Sequence, residues 1–181
     1  SLQSGCDSTL KRMNRHYTAE EYFNCCNILR KAFKNPAITT DVIVGFPGET
    51  EEEFSVTRQY LEKVRFYEMH VFKYSKRNGT RAAVMPDQIP ESEKSVRSNE
   101  LLKLEKEMSL AYRKSCVGSW AEVLMEETYE WNGTTYMIGH TREYVKAVVP
   151  YEEGLKGTIV EGTLGEMLND EVVFLNRNGQ K

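Results

Sequence analysis

Gln3, Ser4, Arg15, Asp41, Glu49, Lys76 and Arg77 are the side chains of this sequence whose types and placement suit a small polar ligand. Gln and Asp suit the hydroxyls of a ribose. Arg suits a carboxylate, which its planar fork grips through two parallel hydrogen bonds. Backbone at Val44 and Gly45 is placed to meet the edge of an adenine. Each has an ordinary explanation too: Arg15 as a helix-end cation near carbonyl dipoles, Asp41 as an acceptor for turn amides. The four cysteines, Cys6, Cys25, Cys26 and Cys116, show no CxxC or CxxxCxxC spacing, and only three histidines accompany them. They read as reduced thiols, and this chain is expected to hold no metal site of its own.

The elements that must position these groups follow from the patterning. Val42, Ile43 and Val44, three apolar β-branched residues in a row within a strand read from Ile38 to Val44, suit a strand covered on both faces, the habit of parallel sheets. Gly45, Pro47 and Gly48 then make a turn at the strand's carboxyl end, where α/β proteins bind ligands. Thr50 with Glu53, and Thr18 with Glu21, are capping boxes that open helices. The helix from about Ala19 to Phe33 is expected to bury Tyr22, Cys26, Leu29 and Phe33. The helix from Glu51 to Val64 is expected to bury Phe54, Tyr60, Leu61 and Val64. Asp7 is read as the cap of a short helix from Ser8 to Arg15, and Leu2 to Gly5 as the end of a preceding strand. With Met69 to Tyr74 as the next strand, the order β-α-β-α-β argues for parallel strands with crossover helices. Pro86 and Pro90 bracket a linker. A long helix follows from about Glu91 to Ser115, with Val96, Leu101, Leu104, Met108 and Ala111 on one side.

Near Gly118 the register changes to short strands: Ala121–Glu126, Thr134–Gly139, Tyr144–Val149, Gly157–Thr163 and Glu171–Leu175. Asn132-Gly133 is a strong hairpin signal between the first two. A small antiparallel barrel of OB-like type is expected. Charge shifts at the same place: the chain's net charge of −3 divides into +3 for residues 1–118 and −6 for residues 119–181. With 181 residues, 40% apolar and 28% charged, the chain suits one large or two small globular domains. No apolar run approaches a membrane span and no signal peptide is visible, so the location is expected to be cytoplasmic, without a membrane partner. The start at Ser1-Leu2-Gln3, without a methionine, reads as an entry into the middle of a fold.

Four blocks carry a resemblance: Leu2-Gln3-Ser4-Gly5-Cys6-Asp7, Leu10 to Thr18, Thr40 to Thr50, and Tyr74 to Thr80. In their order and spacing they resemble the radical SAM methylthiotransferases that modify tRNA. Ser1 before Leu-Gln-Ser-Gly and Lys76-Arg77 after Tyr-Ser resemble the subfamily acting on threonylcarbamoyladenosine beside the anticodon. The resemblance implies an α/β fold, the C-terminal part of a radical SAM (β/α) barrel over residues 1–90. A connecting helix over 91–118 and a small antiparallel β-barrel of TRAM type over 119–178 complete the implied organisation. It implies that Gln3, Ser4, Arg15, Asp41, Val44, Gly45 and Phe46 position S-adenosyl-L-methionine (SAM). Gln3 and Asp41 would meet the ribose, Arg15 the methionine carboxylate, and Val44 to Phe46 the adenine. Lys76 and Arg77 would face tRNA, and in the barrel Tyr136, Arg142, Tyr144 and Lys146 would stack a base and meet phosphate.

The parent enzyme would use SAM and 4Fe–4S clusters to form a 5′-deoxyadenosyl radical, abstract hydrogen from an adenine carbon of tRNA, and insert and methylate sulfur. The family's CxxxCxxC triad, its glycine-rich amino-binding motif and its amino-terminal cluster domain are absent from this sequence. The chain is therefore expected to be an inactive piece with no catalytic residue and no bound cofactor, prone to self-association through exposed sheet edges. Competing expectations are an RNA-binding module without catalysis, an unrelated nucleotide-binding α/β domain, and a methylthiotransferase acting on isopentenyladenosine tRNA or a ribosomal protein.

Overall fold

A computed structural model describes residues 1–177, so the last residue of the expected 119–178 barrel lies outside the described residues. The chain divides into two compact units, one from Ser1 to Ser109 and one beginning at Leu110. The division falls inside the long helix α4, Glu91–Cys116.

The first unit contains helices α1 (Asp7–Arg12), α2 (Ala19–Ala32) and α3 (Glu51–Val64), with strands β1 (Thr39–Val44) and β2 (Glu68–Lys73). β1 and β2 pair in parallel, register Asp41 to His70 and Ile43 to Phe72. The strand expected before Gly5 is reduced to one parallel bridge between Gln3 and Val42. Gln3 has φ of +70°, which turns the chain out of extended pairing after a single step. Alternation along β1 sends Thr40, Val42 and Val44 into the core, with Leu2, Phe54, Leu61 and Leu101. Asp41 and Ile43 take the opposite, open side.

Both capping boxes form: Thr18 and Thr50 each accept from the amide of a Glu three residues on, and that Glu bonds back. Asp7 does not cap α1. It is that helix's first residue, and its Oδ1 accepts from the amide of Ala19 at 2.7 Å, adding to the start of α2. α1 stops at Arg12, and Asn14 follows with φ of +58°.

The buried stripe of α2 departs from the expected one. Tyr22, Phe23 and Cys26 pack inward, whereas Leu29 and Phe33 are exposed. The stripe continues through Arg30, whose guanidinium donates to the carbonyl oxygens of Val64 at 2.5 Å and Arg65 at 3.0 Å, at the end of α3. On α4, Val96 and Ala111 are likewise exposed. Its inward face instead runs Lys94, Arg97, Ser98, Leu101 and Leu104, and charged members of a buried stripe are invisible to apolar periodicity.

The second unit is a closed five-stranded barrel in the order β3-β4-β5-β7-β6. The strands are β3 (Trp120–Trp131), β4 (Thr134–Thr141), β5 (Lys146–Pro150), β6 (Ile159–Met167) and β7 (Val172–Arg177). Asn132 and Gly133 both have positive φ, as a two-residue hairpin of twist-matched type requires. The barrel is not wholly antiparallel, because β5 and β7 pair in parallel. β7 inserts between β5 and β6 instead of adding at an edge, and that geometry imposes the parallel pair. Val123, Met125, Ala147, Val149, Val173 and Leu175 fill the interior.

Candidate functional site

The open side of β1 carries the densest polar grouping of the first unit. Asp41 Oδ2 accepts from the Ser1 hydroxyl at 2.5 Å, and Oδ1 lies 3.2 Å from His70 Nδ1, its register partner on β2. The Ser1 hydroxyl, foremost, and His70 hold the Asp41 carboxyl below the ordinary range. Gln3 joins this strand through its backbone: its N–H donates to the Asp41 carbonyl and its carbonyl accepts from Ile43 N–H, each at 2.9 Å. Ser4, fully buried, shares a 3.0 Å hydrogen bond with Thr57 and accepts from the Cys6 amide at 3.2 Å. Ser4 therefore ties this corner to α3 rather than facing the open side.

Tyr17, two residues after Arg15, reaches the same neighbourhood. The Tyr17 hydroxyl donates to the carbonyls of Ser1 and Leu2, each at 2.9 Å. Burial raises that phenol, and the positive charge of Arg15 nearby opposes the rise. Arg15 itself is exposed and makes no side-chain hydrogen bond or ion pair among the described residues. Tyr17, Ser1, Asp41 and His70 thus form one connected neighbourhood, with Arg15 two residues before Tyr17 in the chain.

The turn at the carboxyl end of β1 is held from inside. Gly45 N–H donates to Glu49 Oε2 at 2.7 Å, and the Val44 carbonyl accepts from Tyr74 N–H at 2.9 Å. The Gly45 N–H and one lone pair of the Val44 carbonyl, both among the backbone groups expected to meet an adenine edge, are therefore already engaged. Phe46 packs edge-on against Tyr74, ring centroids 5.3 Å apart. Gly45, at φ of +70°, has no room for a side chain, because an added Cβ would lie 2.3 Å from Lys94 Cγ. Behind it Glu49 is buried, which raises its carboxyl, against the opposing pull of Gly45 N–H and Arg97. Arg97 donates to the Glu49 carboxylate at 2.9 Å and to its carbonyl at 3.0 Å. Glu49 is a structural anchor for the turn.

Lys76 and Arg77 lie exposed in the loop after β2, where the Arg77 carbonyl accepts from the Thr80 hydroxyl at 2.8 Å. On the barrel, a groove of about 250 Å³ is lined by Glu122, Leu124, Glu126, His140, Arg142 and Tyr144, among others. Tyr144 is 73% exposed, and its ring centre lies 5.7 Å from that of His140. Arg142 pairs with Glu122, and Lys146 Nζ lies 3.8 Å from Glu171, so both cations already face carboxylates. Tyr136 does not join this group. Its ring packs edge-on against Phe174, beside the apolar cluster of Ile138, Val148 and Val172.

Residue reasoning alone passed over His70 and Tyr17. His70 was detectable as the position on β2 that a parallel register sets beside Asp41. Tyr17 carried no signal beyond its place in a matching block.

Residues 1–61 match the Radical SAM superfamily. The threonylcarbamoyladenosine tRNA methylthiotransferase MtaB of Bacillus subtilis (strain 168) is 42% identical over 161 residues, which cover 88% of this chain and 36% of that protein. The chain belongs to the radical SAM tRNA methylthiotransferases. A tRNA-2-methylthio-N(6)-dimethylallyladenosine synthase of Akkermansia muciniphila is 41% identical over 159 residues, 88% of this chain and 34% of that protein. Another enzyme of that name, from Ehrlichia canis, is 49% identical over 123 residues, 68% of this chain and 28% of its own length. The chain spans about a third of the length of the first two relatives. Within this family the thiolates that hold an iron–sulfur cluster must be grouped in space, and no group of three or more His, Cys, Asp or Glu suited to a metal ion exists among the described residues. No described helix is long and apolar enough to cross a membrane.

Proposed function

We propose that this chain forms the SAM-positioning and tRNA-facing part of a cytoplasmic enzyme that methylthiolates an adenosine, threonylcarbamoyladenosine, next to the anticodon of tRNA. The observation that carries the reading is the polar group around Asp41 on the open side of β1, held by Ser1 and His70, with the backbone of Gln3 bonded alongside. The donor chemistry fits SAM. Asp41 is an acceptor for ribose hydroxyls, and Arg15 is a guanidinium without an ion-pair partner for an amino-acid carboxylate. Bound at a 4Fe–4S cluster, SAM supplies the radical chemistry of this family. The residues of this chain would bind and orient it: Arg15 would hold the amino-acid carboxylate, Asp41 the ribose, and Phe46 would wall the adenine side. Lys76 and Arg77 add positive charge toward RNA.

The barrel is read as a TRAM-like, OB-type RNA module. Its five-stranded order and the exposed Tyr144 support this; the carboxylates beside Arg142 and Lys146 compete for the cations that would meet phosphate, which leaves base stacking on Tyr144 as the main RNA contact. The near-equal identity to a dimethylallyladenosine synthase favours a second reading, in which the modified base carries an isopentenyl group.

The test is Arg15→Ala in the full-length enzyme, read by SAM binding and by tRNA binding separately. SAM affinity is expected to fall at least tenfold while tRNA affinity stays within twofold. Unchanged SAM affinity would remove Arg15 from the cofactor site, and the reading as a module that only binds RNA predicts that outcome together with tRNA affinity lost on deleting residues 119–181.

A further inference from the structure

A second cavity, of about 390 Å³, lies where the loops after the two parallel strands meet. Pro47 and Gly48 contribute from the loop after β1. Arg81, Val84, Met85 and Asp87 contribute from the segment after β2. A hydrogen bond from Gly48 N–H to the Asp87 carbonyl, 2.9 Å, knits the two loops together. The carboxyl end of parallel strands is where α/β folds present loops to ligands, so the location itself favours a binding role.

The walls are apolar, and Val84 is 84% exposed. The polar groups are few and of both signs. Arg12 also lines the cavity, but its guanidinium is committed to Glu53. Arg81 has no side-chain hydrogen bond or ion pair among the described residues, and neither does the Asp87 carboxylate. A bare phosphodiester strand would meet Arg81 but would be repelled by Asp87 and would leave the apolar walls unused. A short arm bearing a carboxylate, N–H or hydroxyl donors and a methyl group satisfies all three.

Resting on the methylthiotransferase reading above, we infer that this cavity receives the threonylcarbamoyl arm of the substrate adenosine, its carboxylate on Arg81 and its N–H and hydroxyl groups on Asp87. The arm's methyl group packs against Val84 and Met85. A dimethylallyl arm has neither charge nor donor, so it leaves Arg81 and Asp87 unanswered. The cavity is thus a specificity determinant between the two kinds of modified adenosine.

The test needs neither cluster nor turnover. The chain is titrated with N6-threonylcarbamoyladenosine, with N6-dimethylallyladenosine and with inorganic phosphate, following backbone amide resonances. The threonylcarbamoyl nucleoside is expected to shift Gly48 and residues 81–87 saturably. Arg81→Gln is expected to weaken it at least tenfold, with Arg81→Lys recovering part of the loss. Arg81 is exposed, so these variants should melt within a degree or two of the parent. No saturable shift, equal binding by Arg81→Gln, or equal binding of the dimethylallyl nucleoside would overturn the inference. Shifts produced equally by phosphate would overturn it in favour of a backbone-phosphate site. Each of these results leaves the SAM test of Arg15 untouched.

Discussion

Glu53 does two jobs with one carboxylate. It closes the capping box of α3, and it receives Arg12 at 2.9 Å together with the Ser8 hydroxyl. The Arg12 guanidinium, first among these, holds its carboxyl down to about 2 from an ordinary 4.5. A depressed folded value means stability that is fully present above about pH 4.5 and lost as the pH falls toward 2. The size, discounted for the partial exposure of Glu53, is about 2 kcal/mol. Urea unfolding between pH 5 and about pH 2 is expected to show this loss in the parent chain and to show it much reduced in Glu53→Gln. A parallel decline in both proteins would assign the acid sensitivity elsewhere. Glu49, buried a few residues earlier, illustrates the opposite balance, since desolvation raises its carboxyl even with Arg97 beside it.

At the level of elements, β3 and β4 cross so closely that one position tolerates no side chain. A Cβ on Gly139 would lie 1.8 Å from the Leu124 carbonyl oxygen, a backbone atom that no rotamer change can move. The bulge between Met125 and Glu127 lies opposite and leaves no slack to absorb it. Gly139→Ala is expected to cost about 3 kcal/mol or more and to collapse amide dispersion in the barrel. A well-dispersed spectrum with unchanged melting would show that the ladder can shift. Much at this scale was legible beforehand. The two capping boxes, the Asn132-Gly133 turn and the five barrel strands follow from local chemistry, because cap and turn signals act over three or four residues. The inward faces of α2 and α4 did not follow, because the half-buried Arg30 and the buried Lys94 and Arg97 turn inward to the carbonyls and carboxylate they serve. The place of Asp41 in β1 was legible from the strand pattern, and its pairing with His70 becomes so only once the parallel register of β1 and β2 is fixed.

Across the whole chain the two sheets differ in what they leave unpaired. The barrel closes on itself, so every one of its strands has two neighbours. Among the described residues β2 pairs only with β1, and its Phe72, 54% exposed, lies on the open side with His70. Such an edge with an apolar side chain is a template for pairing with another copy. Sedimentation velocity is expected to show association of the chain that grows with concentration and is reduced by Phe72→Lys. Association that persists unchanged in the variant would place the contact elsewhere.

The insertion of β7 between β5 and β6 also sets a timetable for synthesis. When the ribosome has delivered everything through residue 167, the barrel still lacks the segment that joins its two halves. Until residues 172–177 emerge, the facing sides of β5 and β6 stay unzipped, and a nascent chain that pauses there carries two sticky strands instead of none.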